Sequence, residues 1–224
     1  MDPAEPGRDY RGLVLGTYDR IAADYNKGRL AEQADALAPL IERLPAGARV
    51  LDLGCGAGVP ITKALAGRFD VTGVDFSPAQ LALARRQVPA ARFVEADMTR
   101  CELAAESFDA VVSFFAIFHL PRDEHGPLFG RVRDCLKPGG YFLATLALAD
   151  EAGYTEDDFH GATMYWSNFD LAAYRRLLGA CGFEVLADWL LSDGPATTSD
   201  PEVQPVVLAR KPPIGQDQAR GMEA

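Results

Sequence analysis

The order of apolar and polar positions along the chain alternates between the pattern of buried strands and that of amphipathic helices. Short apolar runs predict strands, and apolar residues three or four positions apart predict the helices between them. The predicted strands are Arg49–Leu53, Val71–Val74, Arg92–Glu95, Phe108–Phe114, Tyr141–Leu148, Phe183–Leu191 and Val203–Ala209. The predicted helices are Tyr18–Asn26, Leu30–Leu44, Pro60–Arg68, a helix capped by Ser77 that ends near Gln87, a helix ending at Leu136 and split at Gly126-Pro127, and a helix from Asp170 to Gly182.

This order of elements predicts a single α/β domain over residues 10–211, with its core at 46–211. Strands that alternate with helices form a doubly wound, mostly parallel sheet of seven strands. No helix separates the last two predicted strands, so the last strand is expected to run antiparallel. The polar, Pro- and Gly-rich stretches 1–9 and 212–224 are predicted to be frayed tails.

One connection of this sheet is too long for an ordinary loop. The segment Ala149–Phe169 carries no clear period and is predicted to be an irregular substrate loop at the edge where ligands bind such sheets. It contains His160 and the pair Tyr165-Trp166. Aromatic residues beside a pocket indicate either a wall for an apolar acceptor or an anchor that holds the loop to the core.

The turn after the first predicted strand is rich in glycine, with the sequence Asp52-Leu53-Gly54-Cys55-Gly56-Ala57-Gly58. Glycines permit a tight turn and a close approach of a ligand to the backbone. A dinucleotide site requires a small residue at the third position of G-x-G-x-x-G, but this chain has Val59 there. The Asp52 charge also suits a cationic or amine-bearing ligand better than a pyrophosphate. The loop therefore favours an amine-bearing ligand over a dinucleotide, and a nicotinamide oxidoreductase is the weaker interpretation.

Two further acids lie at the ends of the next strands. A carboxylate at Asp75 can accept hydrogen bonds from both hydroxyls of a ribose. Asp97 could accept a hydrogen bond from the amino group of an adenine. The neighbouring Met98 could pack on the ring or simply fill the core.

Together these stretches resemble the class I S-adenosylmethionine-dependent methyltransferases. The segments VLDLGCGAG, GVDFS, EADM, SFDAVVSFFAIFHL and LKPGGYFLAT are similar to successive motifs of that family and occur in the family's order. The resemblance implies a small-molecule methyltransferase with S-adenosylmethionine as cofactor and an N-terminal helical lid over residues 10–45. The cofactor-binding residues that it implies are Tyr18, Tyr25, Asp52, Gly54, Cys55, Gly56, Gly58, Asp75, Phe76, Asp97, Met98 and Phe114. Arg29 is a further candidate, for the cofactor carboxylate.

Methyl transfer needs a base only where the acceptor must lose a proton. His119 follows the fourth strand, where the methyl group is expected, and its ordinary pKa suits that role. The alternative is that His119 shapes the site by bonding the backbone. His160 is the second candidate, whereas His125 is predicted to lie on the surface. His119, His125 and Cys135 do not have metal-ligand spacing, so no metal is predicted.

The acceptor is predicted to be a small organic molecule, with secondary metabolites as one candidate class. Its predicted contacts are Phe115, Phe118, His119, Tyr165 and Trp166. The net charge of −10 argues against a nucleic acid substrate. No stretch has the length and apolarity of a membrane span, and the four widely spaced cysteines favour a reducing cytoplasm. A monomer or homodimer is expected. The same fold and cofactor would also fit a cyclase, a decarboxylase or a regulatory binding module.

Overall fold

The computed structural model describes residues 2–3, 7–25, 31–192, 203–213 and 215. Its helices are α1 (Tyr10–Tyr25), α2 (Ala38–Ile41), α3 (Ile61–Ala66), α4 (Pro78–Gln87), α5 (His125–Cys135) and α6 (Leu171–Ala180). Its strands are β1 (Asp2–Pro3), β2 (Arg49–Leu53), β3 (Asp70–Asp75), β4 (Arg92–Glu95), β5 (Phe108–Ser113), β6 (Leu136–Thr145), β7 (Glu151–Phe159), β8 (Ala162–Asn168), β9 (Glu184–Ser192) and β10 (Val203–Arg210). Arg29 lies outside the described residues.

Seven of these strands form the predicted doubly wound sheet, in the order β4-β3-β2-β5-β6-β10-β9. Strands β2 to β6 pair in parallel, and β10 runs antiparallel to both β6 and β9. The predicted fold class is therefore confirmed. The order of the strands reverses between β2 and β5, and ligands of such sheets bind at that point, beyond the carboxyl ends of the strands.

The alternation of side chains along the central strands gives the sheet an apolar surface on both faces. On one face, Leu51 and Phe142 pack with α5 and α6 in a buried cluster that includes Phe129 and Tyr174. On the other face, Val50 and its neighbours pack against the segment before β2 and against α3. Helices on both faces bury these surfaces, as expected for strands that are apolar throughout.

The segment Ala149–Phe169 forms an antiparallel hairpin, so the prediction of an irregular loop is wrong. Strands β7 and β8 pair from Glu151↔Asn168 to Phe159↔Ala162, and β1 adds a third strand at the Tyr154 edge. The predicted frayed tail 1–9 therefore contains a paired strand. Three consecutive acidic residues, Glu156, Asp157 and Asp158, hide the strand pattern in the sequence, because acidic residues are depleted in strands.

The helical boundaries also differ from the sequence prediction. Helix α1 begins at Tyr10 rather than at Tyr18, and the predicted helix Leu30–Leu44 is a 3₁₀ helix over Ala31–Leu37 followed by α2. Two short 3₁₀ turns precede α5, which places Gly126 and Pro127 in its first turn rather than at a break. Within the described ranges, no helix is long and apolar enough to cross a membrane.

Candidate cofactor-binding and active site

The glycine loop turns sharply beyond the end of β2. Gly54, Gly56 and Gly58 have φ angles of 73°, 53° and 77°, a region that side-chain-bearing residues rarely adopt. A Cβ on Gly54 would lie 2.4 Å from the Cβ of Ala116, whereas a Cβ on Gly58 would meet Val88 and Ala84. Gly54 therefore lets the loop approach the segment after β5, and Gly58 lets it pack on the end of α4. The backbone between them faces a cavity.

Asp75 joins this loop to the end of β3. One carboxylate oxygen accepts the Gly56 N–H at 2.8 Å, and the other accepts the Ser77 N–H at 2.9 Å. Burial raises the pKa of Asp75, and these backbone donors partly offset the rise. A carboxylate offers about four lone-pair sites, so Asp75 keeps acceptor capacity toward the cavity that it lines. That capacity matches the two hydroxyls of a ribose.

Asp52 lies beneath the same loop with 2% of its surface exposed. Its carboxylate accepts the hydroxyl of Thr62 at 2.6 Å. Burial raises its pKa to about 7; the Thr62 hydrogen bond opposes this rise, and the charge of Asp75 adds to it. A buried carboxyl that titrates near neutrality gains from a cationic partner, such as the ammonium group of an amino acid ligand.

We expect the Asp52→Asn variant to change the pH dependence of folding. The native pKa of about 7 lies above the ordinary value of about 3.9, so the native state binds the extra proton between these pH values. The free energy of unfolding of the wild type should therefore fall as pH rises from about 4 to 7, by up to about 1.4 kcal/mol per pH unit. Urea unfolding without cofactor at pH 5, 6, 7 and 8 measures this slope.

In the Asp52→Asn variant, the part of the free energy of unfolding that depends on this titration should be absent. The variant should therefore become more stable relative to the wild type above pH 7. Asp109→Asn is the matched control, because hydrogen bonds from Lys137 and Arg49 outweigh its partial burial and lower its pKa. Asp109 is ionised in both states across this interval, so its replacement should leave the slope unchanged. Parallel curves of the free energy of unfolding against pH for the wild type and Asp52→Asn would contradict the raised pKa of Asp52.

The far end of the cavity is an apolar slot with one acid at its edge. Phe76, Ala96 and Met98 line it together with Asp97. Partial burial opposes the ionisation of Asp97, but hydrogen bonds from Arg11 and Thr99 outweigh it and lower its pKa. A planar base fits such a slot, and its amino group would meet the ionised Asp97.

Arg11 holds the N-terminal helix over this slot and was not predicted from the sequence. Its Nε donates to Asp97 at 2.8 Å, and its Nη2 donates to the Thr99 hydroxyl at 2.8 Å. Two further donations reach the Glu124 carboxylate, one of them at 2.7 Å. Asp19, from the same helix, accepts the Ser77 hydroxyl at 2.5 Å. Helix α1 therefore forms one side of the cavity and is hydrogen-bonded to other lining segments at several points.

His119 stands on the opposite side of the cavity, in the 3₁₀ turn after β5. Its Nδ1 lies 2.8 Å from the carbonyl oxygen of Tyr165, and its Nε2 lies 2.8 Å from the hydroxyl of Tyr18. A carbonyl oxygen can only accept, so Nδ1 carries the proton of the neutral ring and Nε2 accepts from Tyr18. Both side chains line the cavity. The lid helix thus supplies a phenol directly to the predicted base.

The other aromatic residues predicted for the acceptor occupy two positions. Phe115 lines the cavity with Phe114, whereas the rings of Phe118 and Trp166 pack against His119 at 5.0 and 4.5 Å. Tyr165 is buried and its ring stacks on Tyr10 at 4.1 Å. Of the two alternatives for Tyr165 and Trp166, this packing favours the anchor that holds β8 over the wall for an acceptor.

The two remaining histidines lie apart from the cavity lining. His160 occupies the β7–β8 turn, where it is exposed and its ring contacts Tyr25, itself a lining residue. His125 is fully buried, so its prediction as a surface residue is wrong. Its nitrogens lie 3.1 Å from the Leu120 carbonyl oxygen and from the Tyr174 hydroxyl. Burial lowers its pKa to about 4, despite hydrogen bonds to the backbone.

The cavity, together with its open mouth, encloses about 1000 Å³ of space between the protein atoms. Its lining includes Phe76 and Met98 of the slot, the glycine loop with Asp75, and the pair Tyr18 and His119. Cys55 contributes to the lining, although its thiol packs on Gly73. Among the residues that the structure describes, no group of His, Cys, Asp or Glu side chains could hold a metal ion. The arrangement suits an adenosine-containing amino acid with a second molecule beside it.

Known methyltransferases share this fold and part of this sequence. Residues 50–140 match the family model described as "Methyltransferase domain". The malonyl-[acyl-carrier protein] O-methyltransferase of Enterobacter lignolyticus is 35% identical over 139 residues, which cover 61% of this chain and 54% of that protein. A trans-aconitate 2-methyltransferase of Variovorax paradoxus is 40% identical over 100 residues, covering 43% of this chain and 38% of that protein. The chain spans about half the length of the curated relatives it matches, or less.

A solved structure supports the fold over nearly the whole chain. The 1,6-didemethyltoxoflavin N1-methyltransferase of Burkholderia thailandensis, bound to 1,6-didemethyltoxoflavin and S-adenosylhomocysteine, superposes with a TM-score of 0.73 at 22% identity. The match covers 95% of this chain and 93% of that one. The chain therefore has the fold of that methyltransferase, and its residues 50–140 match a methyltransferase domain.

Proposed function

We propose that this protein transfers a methyl group from S-adenosylmethionine to a small organic acceptor. The observation that carries the proposal is the Tyr18–His119 pair, which opens onto the same cavity as the glycine loop and Asp75. When bound, the cofactor supplies an electrophilic methyl group on a sulfonium, whose sulfur leaves as a neutral thioether. The chain must then position the acceptor, exclude water and hold a proton.

The residues that would hold the cofactor divide along the cavity. Asp75 would accept the ribose hydroxyls, and Phe76, Asp97 and Met98 would enclose the adenine. The backbone of Gly54 to Gly58 would surround the amino acid part, with Asp52 beneath it. Phe114 and Tyr25 would complete the wall around the methyl group. Correct alignment of two reactants contributes on the order of 7–11 kcal/mol, which makes these contacts the main source of rate.

His119 would act as the proton acceptor, and Tyr18 as its partner. In the tautomer that the structure indicates, Nε2 has its lone pair toward the Tyr18 hydroxyl, so a proton taken by the tyrosine oxygen can pass on to the imidazole. The Tyr165 carbonyl and the Trp166 ring fix the orientation of the imidazole. General base catalysis of this kind typically adds about 10²–10⁴-fold to the rate.

The proposal also covers the catalytic domain and its lid, the class of acceptor, the cellular compartment and the oligomeric state. We propose one catalytic domain over residues 10–211, in which α1 and the β7–β8 hairpin close over the acceptor. We also propose a small-molecule acceptor rather than a nucleic acid, since the net charge of −10 opposes phosphate backbones. The four cysteines form no disulfide, which supports a cytoplasmic protein. A monomer or homodimer is proposed.

Calorimetry and label transfer together test the proposed function. S-adenosylhomocysteine should bind the wild-type protein with micromolar or tighter affinity, and NAD⁺ and NADH should not bind. Incubation with methyl-labelled S-adenosylmethionine and a panel of small aromatic acceptors should move label into at least one acceptor. Conversion of an acceptor without transfer of label would favour a cyclase or decarboxylase, and binding of NADH alone would favour an oxidoreductase.

A further inference from the structure

The charges around the cavity restrict the acceptor more narrowly than the fold does. Three carboxylates line it, namely Asp52, Asp75 and Asp97. Of the lysines and arginines that the structure describes, Arg11 alone lines the cavity. Its guanidinium makes four hydrogen bonds, to Asp97, Glu124 and Thr99. Its charge is thus compensated by two carboxylates.

An acceptor that carries a carboxylate would enter this cavity without a compensating cation from the described residues. Recognition of a carboxylate normally uses an arginine fork or a lysine with free donors. A buried carboxylate without such a partner is costly, because it loses its hydration without gaining a counter-ion. The walls near His119 are instead apolar or aromatic, and are formed by Val14, Tyr18, Phe115 and Leu120. They suit a neutral ring.

The Tyr18–His119 pair restricts the group that is methylated. A carboxylate arrives ionised and needs no base, so the pair would serve no purpose for it. An imidazole is a weak base, so it shares the proton of a phenol-like group far more readily than the proton of an unactivated aliphatic hydroxyl, whose acidity is near that of water.

We propose that the acceptor is a neutral aromatic molecule methylated at a hydroxyl or ring N–H of phenol-like acidity. The proposal rests on the proposed methyl transfer. As the acceptor oxygen or nitrogen bonds to the methyl carbon, the carbon–sulfur bond breaks and its electrons stay on sulfur. The acceptor's proton passes to the Tyr18 oxygen, and the Tyr18 proton passes to Nε2 of His119. The anion therefore forms only beside the methyl group and never has to enter the cavity.

Matched pairs of aromatic compounds test this proposal. We would compare 1-naphthol with 1-naphthoic acid, 2-naphthol with 2-naphthoic acid, and 4-hydroxyquinoline with quinoline-4-carboxylic acid, and include trans-aconitate. The protein is incubated at pH 8 with methyl-labelled S-adenosylmethionine, and label is counted in each purified product. Affinity for each compound is measured separately by tryptophan fluorescence in the presence of S-adenosylhomocysteine.

The expected result is label transfer at least tenfold faster to a hydroxyl or N–H compound than to its carboxylate partner. Affinity should follow the same order. The identity of the methylated atom, by mass spectrometry and NMR, distinguishes the hydroxyl from the ring N–H. The Tyr18→Phe variant should slow transfer to the hydroxyl or N–H compounds.

The remaining outcomes would contradict either the proposed acceptor class or the proposed methyl transfer. Faster labelling of any carboxylate than of its neutral partner, or labelling of trans-aconitate alone, would overturn the proposed acceptor class but leave methyl transfer in place. If the protein binds S-adenosylhomocysteine and transfers label to none of the compounds, the proposed methyl transfer fails, and this inference fails with it. Equal rates within each pair would also overturn the inference, because they would show that the cavity does not discriminate charge.

Discussion

The Asp75→Ala variant is expected to bind S-adenosylhomocysteine about 10²–10⁴-fold more weakly than the wild type. Hydrogen bonds to a charged group contribute about 1.5–3 kcal/mol each, and two ribose hydroxyls would lose such a bond. The Gly56 and Ser77 N–H groups would lose their acceptor as well. Isothermal titration calorimetry at pH 8 measures the affinity, and circular dichroism with urea unfolding checks that the variant is folded.

A double-mutant cycle separates the ribose contact from the support that Asp75 gives to the loop. The 2′-deoxy analogue of S-adenosylhomocysteine should bind the wild type more weakly, but should bind Asp75→Ala as well as the parent compound does. Asp70→Ala is the matched control, because Asp70 begins the same strand and its side chain is half exposed in a surface ion pair with Arg92. It should bind the cofactor product like the wild type. Unchanged affinity in Asp75→Ala would show that the ribose assignment is wrong.

The parts of this structure that follow from the sequence depend on residues close together along the chain. The sharp turn at Gly54 to Gly58 needs positive φ angles, and the glycines that permit them are visible in the sequence. Ser77 caps α4 by accepting the Gln80 N–H at 3.1 Å, as its capping-box spacing predicts. The apolar runs of the central strands also lie in consecutive residues, so the sequence alone predicts the parallel sheet.

Long-range polar contacts could not be predicted in this way. Arg11 meets Asp97 and Glu124 across 86 and 113 positions of sequence, and Tyr18 meets His119 across 101. No local pattern marks such pairs. His125 sits in a polar stretch beside Gly126, yet Tyr174 of α6 covers it with a parallel ring at 5.7 Å. Its burial depends on packing between helices rather than on its own neighbourhood.

Two element boundaries differ from the prediction because contacts with other parts of the fold outweighed the local sequence preference. Gly12 and Gly16 lower the helix propensity of the segment before Tyr18, but contacts of α1 with β8 and α4 hold it helical from Tyr10. Pro138 to Gly140 looks like a turn, yet these residues continue β6 through an irregular register opposite Phe108 and Ala110. Tertiary pairing therefore overrode local preference at both places.

Replacing His119 by alanine is expected to lower turnover about 10²–10⁴-fold while the affinity for S-adenosylhomocysteine changes little. The imidazole contacts Tyr18, Tyr165 and Trp166, whereas the proposed ribose and adenine contacts belong to Asp75, Asp97 and Met98. The loss should therefore fall on the transfer step. Single-turnover label transfer to the best acceptor, at saturating cofactor, measures that step directly.

The pH profile separates a base from a residue that only shapes the site. In the wild type, the rate of transfer to a phenol-like acceptor should rise with pH as the imidazole loses its proton, and this limb should be absent in His119→Ala. The Tyr18→Phe variant should be slower than the wild type and should also lose the limb, because the proposed relay reaches the imidazole through the tyrosine oxygen. His160→Ala is the matched control for the second candidate base, since His160 is exposed on the hairpin turn. A rate loss in His160→Ala as large as that in His119→Ala, or wild-type turnover in His119→Ala, would move the base elsewhere; an unaltered pH limb in a slow His119→Ala variant would leave His119 only a positioning role.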